Sequence, residues 1–101
     1  MLGTMTDAEL LRELGRRLRA YRLQADLGAA AVAVRAGLNR NTVVNAERGA
    51  NPRLRTVVGI LRVLGRLDAL DAFLPPPAVS PLQLAARGGK PRQRAGRARR
   101  A

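Results

Sequence analysis

Apolar residues recur at helical spacing in five stretches of this chain, and no stretch shows the alternation of a β-strand. The first stretch opens with Thr6-Asp7-Ala8-Glu9, which fits the Ser/Thr-x-x-Glu pattern of a capping box. A helix is therefore predicted to begin there and to end near Gln24. Its core-facing side is predicted to be one apolar stripe, flanked by Leu11 and made of Leu10, Leu14, Leu18, Tyr21 and Ala25.

Two short helices are predicted next, separated by a glycine turn. Small and apolar residues at helical spacing favour a helix over residues 29–36, and Gly37 can adopt the positive φ that ends it. Asn39 offers a side-chain oxygen that can cap a second helix over residues 40–47. Two helices in such close succession are typical of a helix-turn-helix.

The second of these helices has an inward and an outward face. Val43 and Ala46 lie three residues apart and are predicted to face the core. The outward face then carries Arg40, Asn41, Val44 and Asn45. In the major groove of DNA, arginine can pair with guanine, asparagine with adenine, and a valine methyl group can contact that of thymine. An ordinary exposed helix face also carries such side chains, so these four residues alone leave both interpretations open.

Two further helices are predicted before the composition changes. The fourth ends at Gly65, and its apolar side is made of Leu54, Val57, Val58, Ile60, Leu61 and Leu64. The fifth spans Leu67 to Leu74, burying both of these residues together with Leu70 and placing Phe73 alongside. We therefore predict an all-α, five-helix domain over residues 1–74. A disordered Pro- and Arg-rich tail is predicted over residues 75–101, where residues 80–86 could form one or two helical turns.

Composition excludes several classes of function. A chain of 101 residues can build one small core, so a single domain is expected. It contains neither cysteine nor histidine, which removes disulfides, thiolate metal sites and the commonest general base. No enzyme activity, metal or cofactor is expected. No apolar run is long enough to cross a membrane and no secretion signal is found, so a cytoplasmic protein is expected.

The charge of the chain favours a polyanionic partner. Lysine and arginine total 19 against 7 acids, which gives a net charge of +12. The tail contributes seven cations and no acid, and the remaining +5 lies on residues 1–74. A GC-rich genome would explain the preference for arginine over lysine. It would not explain the shortage of acids.

The order of helices and the motif A-G-L-N between the second and third resemble the lambda-repressor-like helix-turn-helix family over about Leu14 to Leu74. The matching positions of the family pattern are Arg22, Leu27, Val32, Ala33, Ala36, Gly37, Leu38, Asn39, Thr42, Val43, Glu47 and Gly49. The resemblance implies a DNA-binding domain that reads the major groove with its third helix.

The resemblance also implies roles for individual residues. Arg22 and Glu47 match an internal ion pair between the first helix and the end of the third. The base-facing positions are Arg40, Asn41, Val44 and Asn45, and the phosphate-facing positions are Asn39, Thr42, Arg48, Arg53 and Arg55. The chain departs from the pattern at Gly28 and Ala29, where the family usually has a Thr or Ser cap and a phosphate-binding glutamine. The missing cap weakens the second helix by about 1 kcal/mol. Both departures are expected to affect the affinity for DNA.

Three functions remain open at this stage. The first is a transcriptional regulator that binds a pseudo-palindromic operator in double-stranded DNA as a homodimer. The second is an antitoxin that binds a kinase-like toxin and regulates its own operon. A subset of the family consists of such antitoxins, and the tail of this chain resembles theirs in three places. These are Leu74-Pro75-Pro76-Pro77, residues 80–85 and Gln93-Arg94-Ala95. The third is a sequence-blind binder of nucleic acid, which the scarcity of stacking aromatic residues disfavours.

Overall fold

The computed structural model describes residues 2–78 and Leu82. After a 3-10 turn at Leu2–Thr4 come five α-helices, and the described residues include no strand. They are α1 (Asp7–Gln24), α2 (Ala29–Ala36), α3 (Arg40–Glu47), α4 (Leu54–Val63) and α5 (Asp68–Phe73). The prediction of an all-α, five-helix fold is confirmed. The predictions for the tail lie outside the described residues, apart from residues 75–78 and Leu82.

The helix ends follow from local hydrogen bonding. At the start of α1, the Glu9 amide donates to the Thr6 hydroxyl, and the Thr6 amide donates to the Glu9 carboxylate. The Thr6 amide is the main cause that lowers the pKa of Glu9, and the Thr6 side chain lowers it further. At the start of α3, the Asn41 amide donates to the side-chain oxygen of Asn39 at 2.9 Å. Gly37 ends α2 with a φ of 68°, which a residue with a Cβ adopts only with strain.

The core lies where α3 meets three other helices. Helix α3 packs against α1, α2 and α4, and α2 also packs against α4. Seven apolar side chains are buried there: Leu18, Val32, Ala33, Val43, Ala46, Ile60 and Leu61. Because Val43 and Ala46 are on the inner side of α3, its other side is left to face solvent. None of the helices in residues 2–78 combines the length and apolar character needed to span a bilayer.

The prediction of which side of α1 faces the core was wrong. Leu18 is buried, but Leu14 is 42% exposed, and the other buried residues of this helix are Gly15 and Arg22. Helix α1 contacts α3 on the side that carries Gly15, where the two backbones approach closely. The pattern of leucines pointed to a neighbouring side of the helix because a glycine adds nothing to an apolar stripe.

The last two helices bury some of the predicted residues, including Ile60 and Leu61, but leave others exposed. In α4 the fully buried residue is Ile60, whereas Leu54 at the first turn is 67% exposed. Helix α5 begins at Asp68 rather than Leu67 and has only six residues. Leu70 packs against the core, while Leu67, Phe73 and Leu74 are exposed. A helix this short makes contact over a single turn, so the predicted burial of Leu67 and Leu74 was wrong.

Candidate nucleic-acid interface

Helix α3 presents a polar face to solvent at the surface of the domain. Arg40, Asn41 and Asn45 are exposed and Val44 is half-buried. Within residues 2–78, neither the Asn41 nor the Asn45 side chain makes a hydrogen bond to the protein. Both amide groups therefore keep a donor and an acceptor for a ligand, which is the requirement for pairing with the edge of a base.

The positions matched to phosphate contacts surround this face. Asn39 and Thr42 belong to the first turn of α3, with Asn39 exposed and Thr42 half-buried. Arg48 follows α3 directly, and Arg53 and Arg55 stand at the start of α4; all three arginines are exposed. None of the three is in an ion pair within the described part of the chain. These three guanidinium groups are therefore available to bind an anion.

Arg22 and Glu47 form an ion pair between α1 and the end of α3. Arg22 Nε donates to Glu47 Oε2 at 2.6 Å, and Arg22 Nη2 donates to Glu47 Oε1 at 2.8 Å. The two side chains are only 10% and 6% exposed. The hydrogen bond to Glu47 raises the pKa of Arg22 above its ordinary value, although burial opposes that shift. The Arg22 guanidinium therefore keeps its positive charge inside the domain.

The Arg22 guanidinium also fixes the segment before α2. Its Nη1 donates to the Leu27 carbonyl oxygen at 2.9 Å. Leu27 directly precedes Gly28, the first residue flanking α2. The Arg22 side chain thus connects α1 with the residue before α2 and with the end of α3. These hydrogen bonds fix the angle between the two helices of the helix-turn-helix.

Two glycines bring α1 into direct backbone contact with the end of α3. A Cβ on Gly15 would lie 2.7 Å from the carbonyl carbon of Glu47. A Cβ on Gly49 would lie 2.7 Å from the backbone nitrogen and Cα of Arg12, and Gly49 has a φ of +77°. Sequence analysis missed the role of Gly15. Its signal was a glycine inside an otherwise well-formed helix, which usually has a packing reason.

The entry to α2 lacks the side-chain cap that is usual in the family. Gly28 has an extended backbone with a φ of −78°, and no side-chain hydrogen bond caps the helix. The first turns of α2, α3 and α4 contain no acid, whereas α1 and α5 each begin with two. The positive ends of the three middle helices are thus not neutralised by their own side chains.

Charge is distributed unevenly along the chain. Between residues 28 and 66 there are seven arginines and one acid, Glu47. That acid is paired with Arg22 inside the domain. The surface contributed by α2, α3 and α4 therefore has no unpaired carboxylate, and a polyanion approaching it would meet only cations.

A groove runs between α3 and α4, which we call the α3–α4 groove. Its volume is about 710 Å³. Thr42 and Asn45 line it from α3, the turn at Gly37 lies beside them, and the loop 50–53 and helix α4 form the other side. Asn45 belongs both to the exposed face of α3 and to the groove, so the two surfaces adjoin each other.

The described residues include no group of His, Cys, Asp or Glu side chains that could hold a metal ion.

A family model described as helix-turn-helix domain matches residues 13–74. No curated protein matches the chain. Helix-turn-helix proteins of this kind bind DNA and are typically not enzymes. The match covers more than half of the chain and contains all of α2 to α5, so the protein belongs to the helix-turn-helix domain family, in its lambda-repressor-like type.

Proposed function

We propose that the protein is a sequence-specific transcriptional repressor that reads the major groove of double-stranded DNA with α3. The observation that carries the proposal is the exposed face of α3, where the amides of Asn41 and Asn45 have no protein partner among the described residues. This face lies within the stretch that has seven arginines and a single, internally paired acid. Duplex DNA offers both a dense negative charge and base edges that amides can read.

Affinity and sequence choice come from different residues in this proposal. Arg40, Asn41, Val44 and Asn45 contact bases, because they form the outward face of α3. Contacts to phosphates fix the position of the domain on the duplex without reading its sequence. These contacts are made by Asn39, Thr42, Arg48, Arg53 and Arg55. The seven cations of the tail add affinity for any duplex.

The repressor acts as a homodimer in this proposal. One α3 helix reads only a few base pairs, and two copies related by a twofold axis would read two half-sites about 34 Å apart. Support comes from α5 and the residues that flank it, where Phe73 is 62% and Leu74 is 76% exposed. Leu67, which precedes the helix, is also exposed. A second copy of α5 would remove this apolar surface from water.

Selection of bound fragments from the source genome tests the function. We expect one pseudo-palindromic sequence to be enriched upstream of the protein's own gene, where a bound dimer in the cytoplasm would block transcription. Recovery of unrelated fragments in proportion to their length would contradict sequence-specific binding. It would favour a sequence-blind binder of nucleic acid instead.

An antitoxin role is the second candidate, and the exposed α5 residues favour it. The same surface that would bury a second copy could bury a toxin. If a kinase-like protein is encoded beside this gene, co-expression with it tests the role directly. A stoichiometric complex that survives size-exclusion chromatography would support the antitoxin role, and separate elution would contradict it.

A further inference from the structure

Arg62 has no role in the interface described so far, although it lines the α3–α4 groove. It stands in the last turn of α4 and is exposed. Arg53 and Arg55 line the same groove at the other end of the helix. No ion pair within residues 2–78 involves any of these three arginines.

The groove has the chemistry of an anion site. Its polar lining side chains are three arginines, two asparagines and two threonines, without a carboxylate: Arg53, Arg55, Arg62, Asn45, Asn51, Thr42 and Thr56. Guanidinium groups bind phosphate through two parallel hydrogen bonds, and amides and hydroxyls can donate to the remaining oxygens. A phosphate-bearing ligand is therefore the class that this lining fits.

The spacing of the arginines fits an extended ligand rather than a single phosphate. Arg55 and Arg62 are seven residues apart on α4, which is about 10 Å along the helix axis at 1.5 Å per residue. One strand of duplex DNA carries a phosphate for each 3.4 Å of rise. The distance from Arg55 to Arg62 thus exceeds the separation of neighbouring phosphates, so the two guanidinium groups can bind different phosphates of one strand.

Two small residues line the groove between the two arginines. Gly59 lies between them on α4, and a Cβ there would be 3.7 Å from the Cβ of Ala36 at the end of α2. Both Gly59 and Ala36 line the groove. No long side chain rises from that point to block a strand passing along α4.

We propose that Arg62 is a further phosphate-binding residue and that the α3–α4 groove receives the sugar-phosphate backbone of one DNA strand, from Arg53 and Arg55 to Arg62. The inference rests on the proposed DNA-binding function and extends it to the far end of α4. Because Arg62 meets only the backbone, it contributes affinity and no sequence preference.

Salt dependence of duplex binding tests the role of Arg62. The variants are Arg62→Gln and, as a matched control, Arg66→Gln. Arg66 is also an exposed arginine, but its guanidinium lies over the Tyr21 ring, 4.6 Å from the centroid, and outside the groove. Affinity of the full chain is measured for operator and random duplex at several salt concentrations, after circular dichroism has shown that both variants are folded.

We expect Arg62→Gln to reduce the slope of log K against log salt by about 0.9, equally on both duplexes. Arg66→Gln should leave the slope as in the wild type. An unchanged slope in Arg62→Gln would overturn the assignment. Titration with inorganic pyrophosphate adds a second arm: loss of its binding in Arg62→Gln without any change in the duplex slope would assign the groove to a small phosphate ligand and overturn its role with DNA.

The two proposals fail in distinguishable ways. The slope on random duplex does not depend on operator recognition, so it reports on Arg62 even if no operator exists. Equal affinity of the wild type for operator and random duplex would overturn the proposed repressor while leaving the role of Arg62 to be decided by the slope.

Discussion

Arg22 stabilises the domain through hydrogen bonds to two different elements. Its planar guanidinium binds both carboxylate oxygens of Glu47 and, through Nη1, the Leu27 carbonyl oxygen. Lysine has one ammonium group and cannot satisfy this arrangement. The pair is nearly inaccessible to water, so loss of either partner would leave a buried charge without compensation.

We expect Glu47→Ala to lower the free energy of unfolding by about 3 to 5 kcal/mol, because it leaves the Arg22 guanidinium buried and unpaired. Glu13→Ala is the matched control. Glu13 pairs with Arg16 and Arg17 on the surface of α1, where their side chains are 64% and 52% exposed. That loss should be much smaller, because solvent screens an ion pair on the surface. Urea unfolding of the three proteins measures both values, and similar midpoints for Glu47→Ala and the wild type would contradict the account.

The crossing of α1 and α3 depends on the absence of a side chain at one position. Gly15 lets the backbone of α1 approach the carbonyl group of Glu47, the residue that also receives Arg22. The ion pair and the close crossing therefore act on the same turn of α3. Together they set how far the recognition helix stands from the rest of the domain.

Gly15→Ala should be destabilising by about 1 to 3 kcal/mol, since its Cβ would overlap the α3 backbone and force the helices apart. Gly59→Ala is the same change in the middle of α4, where the new Cβ would contact only Ala36, with its Cβ at 3.7 Å and its carbonyl oxygen at 4.0 Å. It should be stabilising by about 0.5 to 1 kcal/mol, because alanine favours the helix. Thermal unfolding followed by circular dichroism compares them, and equal shifts of Tm in the same direction would refute the crossing argument.

The sequence predicted helix bounds better than helix faces. The bounds of the helices over residues 29–36 and 40–47 were predicted correctly. Gly37 ends the first through its positive φ, and the Asn39 side chain caps the start of the second. The buried side of α1 was wrong because the contact is made by Gly15, which an apolar pattern cannot count. The burial of α5 depends on what lies beside the helix, and local sequence does not specify that.

The residues of the candidate site also differ in whether the sequence could predict them. The outward residues of α3 followed from its periodicity, and the positions of Arg22 and Glu47 came from the resemblance to a family. The α3–α4 groove did not follow from either, because it joins residues of α3 with residues of α4 that are up to 20 positions away in the chain. Only the packing of α4 beside α3 brings Arg62 toward the face that carries Asn45.

Acidic and basic residues are unevenly distributed over the molecule as a whole. The described acids other than Glu47 belong to α1, α5 and Asp26, and none comes from α2 or α4. The exposed apolar residues of the last helix and its flanks, Leu67, Phe73 and Leu74, lie after the basic stretch. The last helix therefore combines exposed apolar side chains with acids, whereas the stretch before it is basic.

We expect sedimentation equilibrium to show a dimer at micromolar concentration, with Phe73→Ser shifting it to monomer because the interface loses its largest apolar side chain. Leu23→Ser is the control, since Leu23 is a similarly exposed apolar residue, 52% against 62%, on α1. Dimers in both variants would place the interface elsewhere. A monomeric wild type, on and off DNA, would contradict the homodimer.

The central claim is that the exposed amides of α3 read bases, and one binding experiment tests it most directly. Affinities for the selected operator and for random duplex are measured for the wild type, Asn41→Ala and Asn45→Ala. Gln24→Ala, which removes an exposed amide at the end of α1, serves as the control. Each asparagine variant should lose about 1 to 3 kcal/mol of preference for the operator with no change in Tm, while the control keeps its preference. Equal losses on operator and random duplex would show that α3 does not read the sequence.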